Sequence, residues 1–448
     1  MKIAETRAHF IGIGGIGMSA LAQLFQQLGA QVSGSDLNEG KQVLVLKDMG
    51  VDVQVGHHWQ NISGDCDVVV YSSAIDSSNP EMQEARRQGI PLIPRAEALA
   101  EVMRFKRGIA VGGTHGKTTT TSLLGSIFLS AEKDPTIAVG GRLKLIESTA
   151  RLGQGPWMIA EADESDGSFA RLNPEISIIT NIDSDHLDHF GNFDNLQKAF
   201  LNFAMNVPYY GASVVFGDDP KTRSLFKDFP KKLHFYGERE DNDYYLKKEG
   251  SSYQVFSDKK SLGSFSLQVP GKHNALNALA ACIAGHLAGI SWVDCFRGVS
   301  QYNGVDRRFQ WIGETKGVRV YDDYAHHPTE IRATIAAARE LDPDAKLHIV
   351  YQPHRFSRTK DCWQDYLSCF QGVDCLYLLD IYPAGEAPIE GVSSQLLSQV
   401  IEAPCQYVES EQTLISAIKK NAQTNNIIMT MGAGHVWKHS STILESFQ

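Results

Sequence analysis

The chain has 448 residues, of which 42% are hydrophobic and 21% charged, the composition of an ordinary globular protein of several domains. Its formal net charge of −10 argues against broad nucleic-acid binding, and the sequence contains no apolar run long enough to span a membrane. The N-terminal residues lack the apolar segment of a signal peptide, and the seven cysteines form no C-x-x-C pair. We therefore expect a cytoplasmic protein with reduced thiols that binds neither nucleic acid nor membrane.

The first predicted elements are a strand, a glycine loop and a helix, in "HFIGIGGIGMSALAQLFQQLG". Gly12, Gly14 and Gly17 form the pattern G-x-G-x-x-G, and Asp36 ends the next predicted strand. In the βαβ dinucleotide fingerprint such glycines let a pyrophosphate approach the helix N-terminus, while the acid accepts a hydrogen bond from a ribose hydroxyl. The pattern predicts a site for a nucleoside diphosphate, and NAD or a UDP-sugar would fit it; a merely structural tight turn is the alternative.

A second glycine loop follows the predicted strand "GIAV", in "AVGGTHGKTTTTSLL". It departs from the usual phosphate loop, G-x-x-x-x-G-K-[ST], because Val111 stands where the first glycine would be. Gly113 and Gly116 still allow backbone N–H groups to surround a phosphate, Lys117 can contact the terminal phosphates, and Thr118 can ligate Mg²⁺. The alternative is a structural glycine turn capped by threonines. The Gly-Lys-Thr sequence would then occur at this position by coincidence.

Two candidate metal ligands follow predicted strands further along the chain. Glu161 ends "WMIAE", and His186 lies in "TNIDSDHLDHFG". Mg²⁺ prefers oxygen ligands, so a threonine with a glutamate is a natural pair, whereas a histidine in this position is more often structural. The aspartates between these motifs fit a solvated loop equally well: Asp163, Asp166, Asp183 and Asp185.

Apolar strand-like runs alternate with helical stretches over most of the chain, which predicts an α/β fold with mostly parallel sheets. The polar stretch 238–264 has alternating segments and predicts a small antiparallel insertion. Changes of pattern near "VMRFKRG" and "RRFQWIGETKGVRV" suggest three domains, at residues 1–106, 107–312 and 313–448.

A chain with two phosphate sites needs a reaction that uses both. A nicotinamide oxidoreductase would explain the first loop and leave the second unexplained, and a simple ATPase would explain only the second. An ATP-dependent ligase or kinase that acts on a nucleotide-linked substrate explains both loops.

The motifs resemble those of the Mur ligase family, whose members build the peptide of bacterial cell-wall precursors. The resemblance covers "GTHGKTTTT", "AEADESDGSF", "TNIDSDHLDH", "GKHNALNALAA", "DRRFQ", "DDYAHHPTEI", "QPHRFSRT", "DIYPAGEAP" and "TMGAG", in family order. It implies a Rossmann-like N-terminal domain for a UDP-sugar, a central P-loop-type ATPase domain with a mostly parallel sheet, and a Rossmann-like C-terminal domain for an amino acid. It also implies that the short ATP loop is the family's own variant of the phosphate loop.

The resemblance assigns site residues by motif. The implied ATP-binding residues are Gly113, Thr114, His115, Gly116, Lys117, Thr118, Thr119, Asn274 and Asn277. The implied magnesium ligands are Thr118, Glu161 and His186. The residues expected to bind substrate are Gly14, Gly15, Ile16, Gly17, Asp36, Ser73, Tyr324, His326, His327, His354, Arg355 and Arg358. The expected catalytic residues are Lys117, Glu161, His186, Arg307, His326 and Arg358.

The arginines carry a physical argument of their own. Arg355 and Arg358 follow a predicted strand, and guanidinium groups suit the carboxylate of an amino acid, although two arginines at this spacing are as often a surface ion-pair cluster. Arg307 and Arg308 could likewise form interface salt bridges or lie near the transferred phosphate. Several sister ligases carry a carbamylated lysine in the helix after the histidine motif; here Phe200 takes that position, so we predict none.

The activity implied is the ATP-dependent joining of L-alanine to the carboxylate of UDP-N-acetylmuramate through an acyl phosphate, by a monomer or weak homodimer. A recycling ligase that attaches an intact L-alanyl-γ-D-glutamyl-diaminopimelate tripeptide to the same UDP-sugar is the nearest alternative. The first glycine loop, "GIGGIGMSA", favours the alanine-adding activity over it. A non-enzymatic nucleotide sensor is a third possibility. It is disfavoured because the residues expected to act in catalysis and metal binding are intact: Lys117, Thr118, Glu161, His186 and Arg358.

Overall fold

The computed structural model describes residues 2–72, 74–165, 167–185, 187–422 and 424–448. Its elements form three sheets rich in parallel strands, which confirms the predicted α/β fold class. The chain divides into two compact units. The first unit contains Met1–Leu267 and Leu276–Asn303, and the second contains Gln268–Ala275 and Gly304–Gln448.

The first sheet is wholly parallel and has the order β3-β2-β1-β4-β5. Its elements are β1 (Arg7–Ile11), α1 (Ile16–Gln27), β2 (Gln31–Asp36), α2 (Lys41–Asp48), β3 (Asp52–Val55), β4 (Val68–Tyr71), α3 (Pro80–Gln88), β5 (Leu92–Pro94) and α4 (Arg95–Met103). The chain moves outward from β1 in both directions, so the strand order reverses beside β1. Ligands of open α/β sheets bind at such a reversal, and the first glycine loop follows β1 there.

The central sheet belongs to the same unit. Its elements begin with β6 (Arg107–Gly112), α5 (Lys117–Ser130), β7 (Thr136–Leu143), β8 (Ser148–Arg151), β9 (Trp157–Glu161), β10 (Ile176–Ile179), α6 (Leu187–Phe190) and α7 (Phe193–Met205). They continue with β11 (Ala212–Phe216), α8 (Pro220–Leu225), β12 (Leu233–Gly237), β13 (Tyr244–Glu249), β14 (Ser252–Ser257), β15 (Lys260–Ser266), α9 (Lys272–Leu287) and α10 (Trp292–Ser300). The sheet order is β15-β14-β13-β12-β11-β10-β6-β9-β7-β8.

The predicted antiparallel insertion is present in β13, β14 and β15, which pair antiparallel in sequence. It is not a separate subdomain, because β13 pairs parallel with β12 and so extends the central sheet. The strands from β12 to β7 are all parallel. Every residue of β10 is buried, as expected of a strand covered on both faces.

The second unit contains the third sheet, of order β16-β17-β21-β18-β19-β20. Its elements are β16 (Gln310–Thr315), β17 (Val318–Asp323), α11 (Pro328–Leu341), β18 (Lys346–Tyr351), α12 (Phe356–Asp361), α13 (Trp363–Ser368), β19 (Cys375–Leu378), α14 (Ser394–Ser398), β20 (Cys405–Tyr407), α15 (Glu411–Asn421), β21 (Asn426–Met431) and α16 (Lys438–Glu445). Only the edge strand β16 pairs antiparallel. The loops after β17, β18 and β21 therefore leave the sheet at one edge.

Within the parts of the chain that the structure describes, no helix combines the length and the apolar character needed to cross a membrane. The seven cysteines are free thiols.

Candidate functional site

The first glycine loop connects β1 to α1 at the carboxyl edge of the first sheet. Gly12 has a φ of +77°, which favours glycine, and its N–H donates to the Ser35 carbonyl over 2.8 Å. Gly15 is the N-cap residue of α1. Because it has no side chain, it gives the first N–H groups of the helix no side-chain hydrogen bond. Ile16 is 44% exposed at this end. The helix N-terminus thus has the backbone geometry of an anion site.

Asp36 lies directly against this loop. Its Oδ2 accepts a hydrogen bond from the Gly14 N–H at 2.9 Å, and its Oδ1 accepts from the Asn38 N–H at 3.1 Å. A Cβ on Gly14 would be 2.8 Å from Asp36 Oδ2, so only glycine allows this approach. The predicted ribose acceptor and the glycine loop therefore lie together. The remaining predicted residue of this region, Ser73, is outside the described residues.

The second glycine loop has two positions that require glycine. Gly113 has a φ of +133°, and a Cβ there would lie 2.0 Å from Thr180 Oγ1. Gly116 has a φ of +83° and is the N-cap of α5, and a Cβ there would lie 2.7 Å from Asn277 Oδ1. The loop is therefore packed closely against the segment after β10 and against α9.

The segment after β10 holds the loop by hydrogen bonds. Asn181 Oδ1 accepts from the His115 N–H at 2.9 Å, and its Nδ2 donates to the His115 carbonyl at 2.9 Å. The Thr180 hydroxyl donates to the same carbonyl at 2.5 Å. His115 Nε2 lies 3.0 Å from Asp183 Oδ2, and the Asp183 N–H donates to Thr114 Oγ1 at 2.9 Å. Asp183, which the sequence left open as a solvated charge, is thus part of the loop's support.

Lys117 begins α5 and turns its ammonium group back toward the loop. Its Nζ donates to the carbonyls of Gly113 at 2.8 Å and Thr114 at 3.1 Å, and to Glu164 Oε1 at 2.8 Å. Burial lowers the pKa of Lys117, but the carboxylates of Glu164, Asp163 and Glu161 together raise it, so the group is charged. Burial also raises the pKa of Glu164 to about 7, against the attraction of Lys117.

The oxygen ligands predicted for a metal lie side by side. Thr118 Oγ1 is 3.0 Å from both carboxylate oxygens of Glu161, and the Gly140 N–H donates to Glu161 Oε2 at 2.8 Å. The β6–β9 pairing sets Glu161 opposite Val111, directly before the loop. A hydroxyl beside a carboxylate is a donor set that fits Mg²⁺. The third predicted ligand, His186, lies outside the described residues.

Three more residues predicted to bind ATP have defined places. Thr119 is buried in the first turn of α5. Asn277 is 6% exposed and contacts Gly116, as described above. Asn274, one turn earlier on α9, belongs to the second unit, where its Nδ2 donates to the Pro270 carbonyl at 2.7 Å.

In the second unit the loop between β17 and α11 carries Tyr324, His326 and His327. His326 Nδ1 lies 3.1 Å from the Tyr324 carbonyl, and the His326 carbonyl accepts from Tyr351 Oη at 3.0 Å and from Tyr366 Oη at 2.9 Å. His327 is buried and serves as the N-cap of α11, where its Nδ1 accepts from the Thr329 N–H at 3.4 Å. The loop is thus held by buried side chains from β18 and α13.

The loop after β18 brings His354 beside His326, with 6.0 Å between the ring centroids. Arg358 Nη1 lies 3.3 Å from His354 Nδ1. Burial lowers the pKa of His354 to about 4, and the charges of Arg358 and Arg355 add to this effect. Arg355 has a φ of +69° and its N–H donates to the Tyr382 carbonyl at 2.8 Å. The predicted substrate residues of this region, Tyr324, His326, His354, Arg355 and Arg358, therefore cluster within the second unit.

Arg307 has partners within its own unit. Its Nε donates to Asp322 Oδ2 at 3.1 Å, and its Nη atoms donate to the carbonyls of Gly432 and Gly434. Arg308 lies with its guanidinium 5.1 Å from the centre of the Tyr324 ring. The donors of Arg307 hold the loop after β21, and its catalytic role stays a prediction.

Sequence reasoning missed several residues that shape these sites. Arg95, Glu164, Thr180 and Asn181 were not singled out, and Asp163 was left as a loop charge. Arg95 directly follows β5, and the other four lie within the quoted motifs "AEADESDGSF" and "TNIDSDHLDH", which is the available signal. Their partners lie 47 to 68 residues away along the chain, and no local pattern encodes that distance.

Models of the Mur ligase family match three successive stretches of the chain. Residues 7–107 match the model described as the family's catalytic domain, residues 111–285 the middle domain, and residues 307–434 the glutamate ligase domain. With its α/β fold and two phosphate-type loops, the chain is in the class of ATP-dependent ligases.

The chain belongs to the Mur ligase family, as its motifs predicted. It is 53% identical to the UDP-N-acetylmuramate–L-alanine ligase of Bdellovibrio bacteriovorus, over 99% of each chain. The crystal structure of a UDP-N-acetylmuramate–alanine ligase from Thermotoga maritima superimposes with a TM-score of 0.83 at 28% identity, over 99% of each chain. A murein peptide ligase from Psychrobacter arcticus shares the fold, with a TM-score of 0.74 and 23% identity over 99% of this chain and 98% of that one.

Proposed function

We propose that the chain joins L-alanine to the carboxylate of UDP-N-acetylmuramate, with ATP converted to ADP and phosphate, in the synthesis of peptidoglycan precursors. The observation that carries this is the 53% identity, over 99% of both chains, to a ligase with that activity in its name. Lys117, Thr118 and Glu161 support it, because the groups needed for phosphoryl transfer are present and lie together.

The three sequence segments have separate roles in this proposal. Residues 1–106 bind the UDP-sugar, residues 107–312 bind ATP, and residues 313–448 bind the amino acid. The successive family matches at 7–107, 111–285 and 307–434 support this division. The pyrophosphate binds at Gly14, Gly15, Ile16 and Gly17, and Asp36 accepts from the ribose. Ser73 is assigned to the same substrate from its sequence.

The second glycine loop binds ATP. Lys117 leaves Glu164 and contacts the terminal phosphates, and the backbone N–H groups of the first turn of α5, from Lys117 to Thr119, face the phosphate oxygens. The N–H groups of Thr114 and His115 are bonded to Asn181 and hold the loop in shape. Thr118 and Glu161, with His186, are the residues that hold Mg²⁺ in this proposal. When bound, the ion neutralises charge on the transferring phosphoryl group. Asn274 and Asn277 are assigned to the adenine end of the nucleotide.

The reaction has two steps. A carboxylate oxygen of the N-acetylmuramoyl group forms a bond to the γ-phosphorus of ATP, the bond from that phosphorus to the bridging oxygen breaks, and ADP leaves. The neutral amine of L-alanine then attacks the acyl carbon, its bond to the phosphate oxygen breaks, and inorganic phosphate leaves. Lys117 stabilises the charge that develops in the first step.

The second step needs a group that accepts a proton from the amine. Of the three histidines predicted to bind the amino acid, we assign this role to His326. Its Nδ1 faces the Tyr324 carbonyl and the Glu330 carboxylate and therefore carries a hydrogen, so the neutral ring would accept a proton at Nε2. His327 uses its Nδ1 lone pair to cap α11, and His354, with a pKa of about 4, is a weaker base. Arg355 and Arg358 are assigned to the carboxylate of L-alanine.

Cytoplasmic action fits this activity, because ATP and UDP-linked sugars are found there. The oligomeric state, monomer or weak homodimer, stays a prediction. The recycling ligase is the second candidate, since it uses the same UDP-sugar, but the curated relatives at 42% to 53% identity over nearly the whole chain are named as alanine ligases.

Phosphate release with three acceptor conditions tests the proposal. Purified protein with ATP, Mg²⁺ and UDP-N-acetylmuramate is given no acceptor, L-alanine or the tripeptide, and mass spectrometry identifies any UDP-linked product. We expect turnover and a product only with L-alanine. Turnover only with the tripeptide would show that the protein is the recycling ligase. No turnover with either acceptor, by folded protein that binds ATP, would contradict both the alanine-adding and the recycling activity.

A further inference from the structure

Arg95 lies where the first sheet meets the first turn of α1. It is the first residue of α4 and directly follows β5, and its side chain is only 21% exposed. A Cβ built on Gly17 would lie 2.8 Å from Arg95 Nη1, so the guanidinium packs on the helix end that carries the first glycine loop. A cation at a helix N-terminus is unfavourable without an anion nearby.

Asp163 supplies that anion, from the loop that begins after Glu161. Arg95 Nη2 donates to Asp163 Oδ2 at 2.9 Å, and Asp163 Oδ1 accepts from the Ser165 N–H at 3.1 Å. The pair joins residues 68 positions apart, one beside the first glycine loop and one beside the second. A second charge pair between the same two regions, Arg171–Glu97, has side chains 53% and 39% exposed, against 21% and 39% for Arg95 and Asp163, so the difference is in the arginine.

Asp163 acts on the second glycine loop through Lys117. Its charge is among those that act on the Lys117 ammonium, and the next residue, Glu164, accepts a hydrogen bond from Lys117 directly. Charges of alternating sign thus run from Arg95 through Asp163 to Lys117 and Glu164. Removing the positive charge of Arg95 would leave Asp163 uncompensated beside the lysine that the phosphates of ATP require.

We propose that Arg95 is a positioning residue for both nucleotide sites: it neutralises Asp163, so that Lys117 is available to ATP, and it contributes a positive charge to the pyrophosphate site at α1. The UDP half of this inference rests on the function proposed above, and the ATP half on the Lys117 loop. Asp163 is needed only for the effect on ATP. The effect on the UDP-sugar comes from the charge of Arg95 itself.

Binding of two probes separates the halves. Isothermal titration with ADP, in EDTA so that no metal contributes, and with UDP-N-acetylmuramate is carried out on the full chain and on Arg95→Gln, Asp163→Asn and the double variant. We expect Arg95→Gln to weaken both ligands by about five- to tenfold, a typical size for coupling between sites. In the double variant ADP affinity returns to within about twofold of the wild-type value, while the affinity for the UDP-sugar stays low.

Two further variants control for folding and for general electrostatics. Arg95→Lys retains the charge, and we expect its ADP affinity to stay within about threefold of wild type. Arg171→Gln removes an exposed arginine that pairs with the same helix, α4, and should change neither affinity. Thermal melting of each variant verifies that it is folded.

The inference is overturned if Arg95→Gln binds ADP as wild type does. It is equally overturned if Asp163→Asn fails to restore ADP binding in the double variant, since the loss would then come from packing and not from charge. Wild-type protein that binds ADP and not UDP-N-acetylmuramate would contradict the proposed function and the UDP half, while the ADP measurements would still decide the other half.

Discussion

At Lys117 a single ammonium group donates to two backbone carbonyls of its own loop and to Glu164. The carbonyl contacts hold the side chain over the loop, and the Glu164 carboxylate is the ionic partner of the ammonium group. In the proposed function, ATP replaces the Glu164 contact when it binds. The buried carboxylate can accept a proton when that happens, since burial raises its pKa to about 7.

Replacing Lys117 by alanine removes the charge that stabilises the transferring phosphoryl group. We expect phosphate release to fall by about 100- to 1,000-fold, the usual effect of removing one such group. Lys198→Ala is the matched control, because Lys198 is exposed on α7 and should leave the rate unchanged. A rate for Lys117→Ala within about fivefold of wild type would remove Lys117 from the mechanism.

His354 provides a test of the electrostatics in the second unit. Its pKa is lowered to about 4, by burial first and then by Arg358 and Arg355. The folded value is below the unfolded one, so the contribution to stability is present above about pH 6.5 and is lost as the pH falls toward 4. NMR of labelled histidine should show His354 neutral at pH 5.5, and Arg358→Gln should raise its pKa. Titration near pH 6.5 in the wild type would contradict the described surroundings.

At the scale of elements, two tyrosines hold the loop between β17 and α11 by hydrogen bonds. Tyr351, at the end of β18, and Tyr366, on α13, are fully buried and both donate to the His326 carbonyl. Their hydroxyls are also 3.1 Å apart. This arrangement positions the backbone of a residue that the proposed function uses as a base.

Tyr366→Phe removes one of the two donors and keeps the ring. We expect a loss of about 1 kcal/mol in the free energy of unfolding and a rise of about fivefold in the KM for L-alanine, with the KM for ATP unchanged. Tyr209→Phe makes the same chemical change at a side chain that is 91% exposed, and should have no effect. An equal rise in both KM values would show that the hydroxyl supports general folding only.

The second glycine loop allows a sharper comparison between two glycines. Gly113 and Gly50 both have positive φ, but a Cβ on Gly113 would meet Thr180 Oγ1 at 2.0 Å whereas one on Gly50 would have nothing within 4 Å. Both alanine substitutions incur the cost of placing a non-glycine residue at positive φ, about 1 to 3 kcal/mol. Only Gly113→Ala should abolish ADP binding in a calorimetric titration. ADP binding by Gly113→Ala within about threefold of wild type would show that the loop tolerates displacement.

The elements that the sequence predicts best are the buried parallel strands, because a strand covered on both faces is continuously apolar and stands out from its surroundings. Strands β1, β6, β9, β10 and β18 lie where the sequence predicted them. The helix after the first loop, Ile16–Gln27, lies within the stretch quoted for it. Phe200, predicted in place of a carbamylated lysine, is fully buried and packs 5.1 Å from Phe169 between ring centroids.

Other features are not encoded locally. The extension of the central sheet depends on the short β12–β13 pairing, which periodicity cannot reveal. The ion pair of Arg95 with Asp163 depends on how two sheets of one unit pack together. His186 and Ser73 remain predictions, since they lie outside the described residues.

At the scale of the whole molecule, three successive family matches along one chain account for the two phosphate sites that raised the question of function. In the proposed function, one loop binds the nucleotide that identifies the substrate, and the other binds the nucleotide that activates it. An activated acid must be protected from water until the amine attacks it. Exclusion of water during turnover is therefore expected of the ATP-loaded enzyme.

Transfer of an isotopic label tests the central claim most directly. UDP-N-acetylmuramate with oxygen-18 in its carboxylate is turned over with ATP, Mg²⁺ and L-alanine, and the inorganic phosphate and the product are analysed by mass spectrometry. The acyl phosphate route predicts one labelled oxygen in each phosphate and L-alanine in an amide bond to the UDP-sugar. Unlabelled phosphate alongside that product, or label in AMP, would contradict the proposed mechanism.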